Sequence, residues 1–400
     1  MTASLLGWTP RSENSPTYCS SEYTCPANAK PVRTLDIVLM ASSEITRDLA
    51  PEKQLPAWLA YARRCNAMLC AVIFAFVFLT FVVATISGDS ILPHVFEYAE
   101  RVVRAFLLLS SALVIWACSG AIVQGRHGSP VSLATARMRN LATSNTLTRF
   151  LYASAILVLF MAAFLYNKML IPVVAPFQWD ETFSRWDAGL LGGYQAWQII
   201  QPVVGVPWMT VLLDVAYSSW VPVVFLFWGG LFASPRVPEP IRVRYWWATI
   251  MSWLLIGLVM ATMFSSAGPC YFSEIVPGTP SPYGDLMHYL DGVDADYSLS
   301  SSLTKDFLWQ VHIGTFDLPG GISAMPSMHN AQAALFAAVA YSLDRRLGHV
   351  MLAYAVLIFL GSIHLGWHYA VDGIVGVVTA LAIWIACAKV ARSERKCSVE

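Results

Sequence analysis

Charge is the first thing this sequence is short of. Lys, Arg, Asp and Glu make up 12% of its 400 residues, about half of the ~25% that a soluble chain carries. The 25 basic residues are matched by 25 acidic ones, and no basic cluster is large enough to hold nucleic acid, so no nucleic-acid partner is expected. Cysteine chemistry is missing as well. The eight cysteines include no CxxC and no Cys/His spacing of the zinc-site kind. Buried free thiols are expected, Cys270 among them, with neither a metal nor another cofactor. The first sixty residues lack the basic start and apolar stretch of a signal peptide. They are polar and rich in Ser, Pro and Thr, which predicts a largely disordered cytoplasmic tail over residues 1–60 with a short amphipathic piece at Leu55–Tyr61. No inverted repeat is visible, which speaks against a transporter.

What the chain has in abundance is apolar sequence: 56% of it, in long runs. A bilayer core takes about 20 mostly apolar residues per helix. Eight stretches qualify, near Ala67–Ser87, Ala105–Val123, Phe150–Leu170, Trp208–Phe232, Trp246–Ala267, Ser327–Leu343, Val350–Trp367 and Tyr369–Lys389. The expected fold is an all-α polytopic membrane protein of about eight transmembrane helices. Residues 61–125 form two added helices, 150–390 a six-helix core, and 391–400 a cytoplasmic tail. With both termini inside, the inner segments hold seven Lys or Arg in the tail, four after the second helix, three after the fourth, two after the sixth and four at the C-terminus. That is 20 of the 25, and the excess marks the cytoplasmic side.

Two outer connections stand out. Residues 167–206 carry Trp179, Trp186 and Trp197 at spacings that suit an amphipathic helix in the interface. Residues 268–322 are long, acidic and turn-rich, with Asp285, Asp291, Asp294, Asp296, Asp306 and Asp317, and read as a lid over a site. Inside the fourth helix, Asp214 and Tyr217 suggest a buried polar pair.

The chemistry lies in GGISAMPSMHNAQ (Gly320–Gln332) and GSIHLGWHYAVDG (Gly361–Gly373). Each puts a histidine at the outer end of a membrane helix, where ionisable groups are functional candidates by default. His368 and Asp372 are spaced i, i+4, which predicts a shared helical face with the carboxylate fixing the imidazole tautomer. His364 lies a further turn back on the same predicted face, as a partner or packing residue. Pro326 suits a first helical turn, Ser323 a cap, and the free N–H groups of such a start suit phosphate. His329 then sits where it can protonate a leaving oxygen while His368 attacks: phosphoryl transfer without a metal.

PSMH followed by H-x3-D resembles the type 2 phosphatidic acid phosphatase (PAP2) superfamily, whose pattern is PSGH and then SR-x5-H-x3-D. Most similar is the branch of inositolphosphotransferases such as inositol phosphorylceramide synthase, where a bulkier residue replaces the Gly and HY-x2-D is typical. The resemblance covers residues 150–390. It implies His368 as the nucleophile of a phosphohistidine, Asp372 as its partner, His329 as general acid and Ser327 as a phosphate contact. The superfamily's Arg falls on Ser362, and its K-x6-RP is replaced after the fifth helix by SSAGPCYF, with Tyr271 in a Pro-aromatic segment expected of the branch. Lys168, in a K-x6-AP after the third helix, is the candidate for the missing phosphate cation and otherwise an interfacial lysine. The expected substrate is a phosphorylated lipid taken from the bilayer, with the site on the extracytoplasmic face. Two alternatives stand beside the transferase: a lipid phosphate phosphatase, and a non-catalytic lipid-binding or transport protein.

Overall fold

In lipid the backbone has no water to bond to, so long apolar runs must close their hydrogen bonds within helices. The computed structural model describes residues 57–100, 103–104, 146–234, 237–316, 318 and 320–397; these are all-helical, with no strand among them. In order come α1 (Ala57–Ser87), α2 (Thr146–Val174), α3 (Asp180–Leu190), α4 (Ala196–Val204), α5 (Pro207–Ser218), α6 (Trp220–Ala233), α7 (Glu239–Leu254), α8 (Gly284–Tyr297), α9 (Ser300–His312), α10 (Met328–Leu343), α11 (Arg345–His364) and α12 (Ala370–Cys397). A π-helical turn, Leu255–Met260, carries α7 on to Met263.

Six spans among the described residues are long and apolar enough to cross a membrane: Met68–Ser87, Leu151–Val174, Pro207–Phe232, Glu239–Met263, Arg345–His364 and Ala370–Ala388. Of the other two expected spans, Ala105–Val123 lies outside the described residues. Ser327–Leu343 forms α10, whose 16 residues reach only ~24 Å at 1.5 Å per residue, short of a ~30 Å hydrocarbon core. Its Ala-rich surface is buried on all sides instead, packed against α7, α11 and α12. The Pro207–Phe232 span is broken at Ser219 into α5 and α6.

Three local expectations are corrected. Helix α10 starts at Met328 with Ser327 as its cap, the Ser327 hydroxyl accepting from the Asn330 N–H. Pro326 therefore precedes the cap, and Ser323 is not one. Helix α11 ends at His364, because Gly366 (φ +74°) turns the chain left-handed just beyond it. His368 consequently lies in the link before α12, off any helical face shared with Asp372 or His364. The Trp-rich connection makes two short helices, α3 and α4, with Trp197 buried and donating to the Pro282 carbonyl (3.1 Å) and Trp186 left exposed.

The helices alternate in direction, so the ends that bear the chemistry gather at one side: the end of α2, the turn after α7, the start of α10 and the α11–α12 link. Helix α12 closes on α10 through Gly376, where a Cβ would stand 2.5 Å from the Ser327 carbonyl oxygen. The Ser327 N–H in turn donates to the Asp372 carbonyl (3.1 Å). Because the obstacle is backbone, Gly376→Ala must push the start of α10 away. At least a tenfold drop in turnover with a small fall in thermal midpoint is expected, of the order set by a ~1–3 kcal/mol overpacking penalty; unchanged kinetics would show that this contact does not position His329.

Candidate active site

Helix α3 lies across the site end and carries two buried carboxylates, Asp180 and Asp187. Asp180 accepts the N–H groups of Ala267 (3.0 Å) and Gly268 (2.8 Å) and the Tyr369 hydroxyl (2.9 Å). Asp187 accepts those of Ala370 (2.7 Å) and Val371 (3.0 Å), the first two residues of α12. Burial pushes both carboxyls above the ordinary range, and the donated N–H groups pull them back. One short helix thus pins the turn after α7 to the start of α12. On the opposite side of that turn, Ser266 accepts through its carbonyl from the Ala324 N–H (2.9 Å) and through its hydroxyl from the Met325 N–H (3.1 Å).

Within this frame the two histidines meet, with ring centroids 6.2 Å apart. His368 Nδ1 lies 3.4 Å from Asp372 Oδ2, which also accepts the Tyr369 N–H (3.1 Å). Contacts of this kind are commonly long before substrate tightens them. With Nδ1 facing the carboxylate, Nε2 is the ring nitrogen turned away from it. Burial, reinforced by the charge of Lys168, pushes His368 down to about 3, while the Ala324 carbonyl pulls it up. The folded value lies below the ordinary 6.5, so the unfolded chain binds the extra proton and stability falls as pH drops from 6.5 toward 3. Melting curves of the solubilised protein should show this decline, and His368→Gln should make it shallower without abolishing it, since His364 is wholly buried as well. An equally steep decline in the variant would place the responsible group elsewhere.

His329 is held between two aromatic rings, Tyr217 of α5 (4.4 Å, stacked) and Trp220 of α6 (4.1 Å). Its nitrogens form no hydrogen bond among the described residues. A cavity of about 570 Å³ opens onto His329, His368 and Lys168. Lys168, on α2, is the one Lys or Arg lining it and makes no ion pair or hydrogen bond among the described residues. Gly321 brings the backbone up to Lys168, where a Cβ would come within 3.3 Å of its side chain. From there the cavity runs down between α2 and α6 along Leu157, Met161, Phe164, Val224 and Phe225. It rises the other way under α9.

The remaining sequence candidates fall in different places. Ser327 and Ser362 are wholly buried and joined through the Asn330 amide, which donates to both hydroxyls (3.0 and 3.1 Å); neither lines the cavity. His364 Nε2 pairs with the Thr210 hydroxyl (2.8 Å), away from His368. Tyr271 lines the cavity, its hydroxyl donating to the Lys305 carbonyl (2.8 Å) and its ring stacked on Trp309. Asp214 and Tyr217 do not pair. Asp214 accepts from the first N–H groups of α9, Ser300 (2.9 Å) and Ser301 (2.8 Å), while Tyr217 serves His329. Cys70, Cys270 and Cys387 are free thiols, and burial pushes Cys270 up. Among the described residues no group of three or more His, Cys, Asp or Glu is placed to share a metal ion.

Sequence reasoning did not find Asp180, Asp187, Trp220 or the capping role of Asp214. The only signal was the cluster of acids in DETFSRWD, which local pattern does not tie to residues 80–190 positions away. A family model described as the PAP2 superfamily matches residues 181–386, a range that takes in both histidines and Asp372 but leaves Lys168 outside. No curated protein and no solved structure matches the chain.

Proposed function

The chain belongs to the PAP2 superfamily, and from that premise we propose that it is an integral-membrane lipid phosphotransferase or phosphatase working through a phosphohistidine. The observation that carries the reading is one cavity that presents two imidazoles and a lysine at its waist and an apolar cleft below them. In this mechanism His368 Nε2 attacks phosphorus, and the P–O bond to the leaving group breaks as the P–N bond forms. His329 gives the leaving oxygen its proton. Asp372 holds the His368 ring and offsets the positive charge it acquires. Lys168 neutralises the phosphate oxygens, the task left open by Ser362 and by the segment after α7. Water or an alcohol then gives its proton to His329 and displaces the histidine.

The apolar cleft between α2 and α6 fits acyl or prenyl chains, so the substrate is a phosphorylated lipid drawn from the bilayer. The motif HY-x2-D aligns the chain with the inositolphosphotransferase branch and favours transfer of a phospho-headgroup. We further propose that Ala105–Val123 and α10 complete eight membrane segments. The ends opposite the site carry Arg242, Arg244, Arg345, Arg346 and the basic residues near the C-terminus, against Arg104, Lys168, Arg185 and Lys305 among the described residues of the other connections. That asymmetry supports cytoplasmic termini and an extracytoplasmic site.

The test is to incubate the purified protein with ³²P-labelled phospholipid and polyprenyl phosphate donors in mixed micelles. Label that is stable in base, labile in acid and mapped to His368 is expected, with turnover unchanged by EDTA. Turnover without such label, or turnover lost with EDTA and restored by a divalent ion, would sink the mechanism.

A further inference from the structure

Helix α9 reaches from one membrane span to another. Its start is tied to α5, where Asp214 accepts the Ser300 and Ser301 N–H groups. Its last residue, His312, sets its ring 5.2 Å from that of Phe177, in the link that follows α2. Between these ends Thr304, Phe307 and Leu308 line the cavity. Thirteen residues at 1.5 Å each give ~20 Å, so α9 is a short bar laid across the cavity that descends between α2 and α6.

The bar has two unlike edges. Lys305 faces Asp291 of α8 and its neighbour Asp306 (both 3.9 Å), which marks the edge turned to α8. Leu303 stands two positions back, ~160° around the helix, and is 69% exposed. Just past the helix, Ile313, Phe316 and Leu318 are exposed too. Phe316 stacks on Phe307 (6.3 Å), which holds this turn against α9. Large apolar side chains gathered in one exposed patch mark a surface that meets something apolar.

What covers the patch follows from where it sits. Helix α2 is a membrane span as far as Val174, and its last two residues, Val173 and Val174, are 76% and 72% exposed. Phe177 comes three residues later, at most ~11 Å along the chain. The headgroup layer adds ~5–8 Å to each face of the hydrocarbon, which sets the Phe177–His312 contact at about headgroup level. Ile313 follows directly. The exposed apolar surface of α2 thus continues through this contact into the end of α9 and the turn beyond it.

We infer that Leu303, Ile313, Phe316 and Leu318 rest in the bilayer leaflet on the site side, covered by phospholipid. An interfacial helix of this kind buries one apolar face among headgroups and leaves its polar face wet; here the wet side is α8, with Asp285, Asp291 and Asp296 exposed. The connection is then a lintel fixed in the membrane surface, and the mouth of the cavity lies at headgroup depth. The inference rests on the membrane spans and is independent of the phosphohistidine.

The test reads lipid contact, not turnover. Full-length protein is reconstituted into phosphatidylcholine vesicles whose lipids carry a diazirine on one acyl chain. After irradiation, lipid adducts are mapped by mass spectrometry. Adducts over residues 303–316 are expected at a yield close to that at Val173 and Val174, and well above that on α8 (Gly284–Tyr297). Changing Ile313 and Phe316 together to Asp should cut labelling of the segment about tenfold. Labelling at Val173 and Val174 in the same molecules should persist, which reports that the span is still in place. Labelling of 303–316 no stronger than that of α8 overturns the inference, whether water or a second copy of the chain then covers the patch. Labelling that the paired Asp changes leave intact overturns it as well.

Discussion

His368→Ala is expected to lower phosphate release and transfer by a factor of roughly 10³ or more and to remove the acid-labile label altogether. The expectation comes from a division of labour that the geometry permits. His368 has one nitrogen 3.4 Å from a buried carboxylate, whereas His329 lies between Tyr217 and Trp220 with no acidic partner among the described residues. The two histidines should therefore fail differently. His329→Ala loses proton delivery, a term worth roughly 10²–10⁴, and only for donors whose leaving oxygen needs a proton. With a p-nitrophenyl phosphodiester, whose leaving group departs as the anion, most of that loss should vanish, while His368→Ala stays inactive. Two variants equally impaired with both donors would mean that the roles are wrongly assigned.

Lys168→Met is the second large effect, expected to lower turnover by about 10²–10³, the range seen when one group stabilising developing charge is removed. The argument is one of elimination on charge. A phosphoryl group between two imidazoles needs compensation, and Lys168 is the one Lys or Arg among the described residues that lines the cavity. Lys168→Arg keeps the charge but must fit beside the Gly321 backbone, so partial recovery is expected. Because the charge meets the reacting phosphate, the loss should appear in kcat more than in KM. Full turnover in the Met variant would assign the phosphate's counter-charge to another group.

The sequence carried the membrane class plainly, since composition and run length need no tertiary information. It also carried the convergence of His329, His368 and Asp372, because helix parity alone sends the start of α10 and the α11–α12 link to one side. The helical relation of His368 to Asp372 was misread: i, i+4 spacing implies a shared face only if the helix is continuous, and Gly366 interrupts it. Lys168 was visible as K-x6-AP, yet spacing does not reveal that α2 runs beside the cavity. Asp180, Asp187 and Asp214 were illegible for a related reason. Apart from the Tyr369 hydroxyl on Asp180, their partners are backbone N–H groups more than eighty positions away, and any sequence supplies those.

The clasp made by α3 has a bearing on how the protein is made. Asp187 bonds to residues that follow it by 183 and 184 positions, and Asp180 to one that follows by 189. At a synthesis rate of ~5–20 residues per second, Asp187 waits roughly ten to forty seconds for partners that the ribosome has yet to release, whereas Ala267 and Gly268 reach Asp180 in about half that time. Until α12 emerges, the nascent chain lacks both donors to Asp187, on a short helix whose final setting is buried. The candidate site is thus completed only once α12 is made, and a chain cut short before Ala370 displays its incompleteness to any chaperone or protease that surveys the membrane.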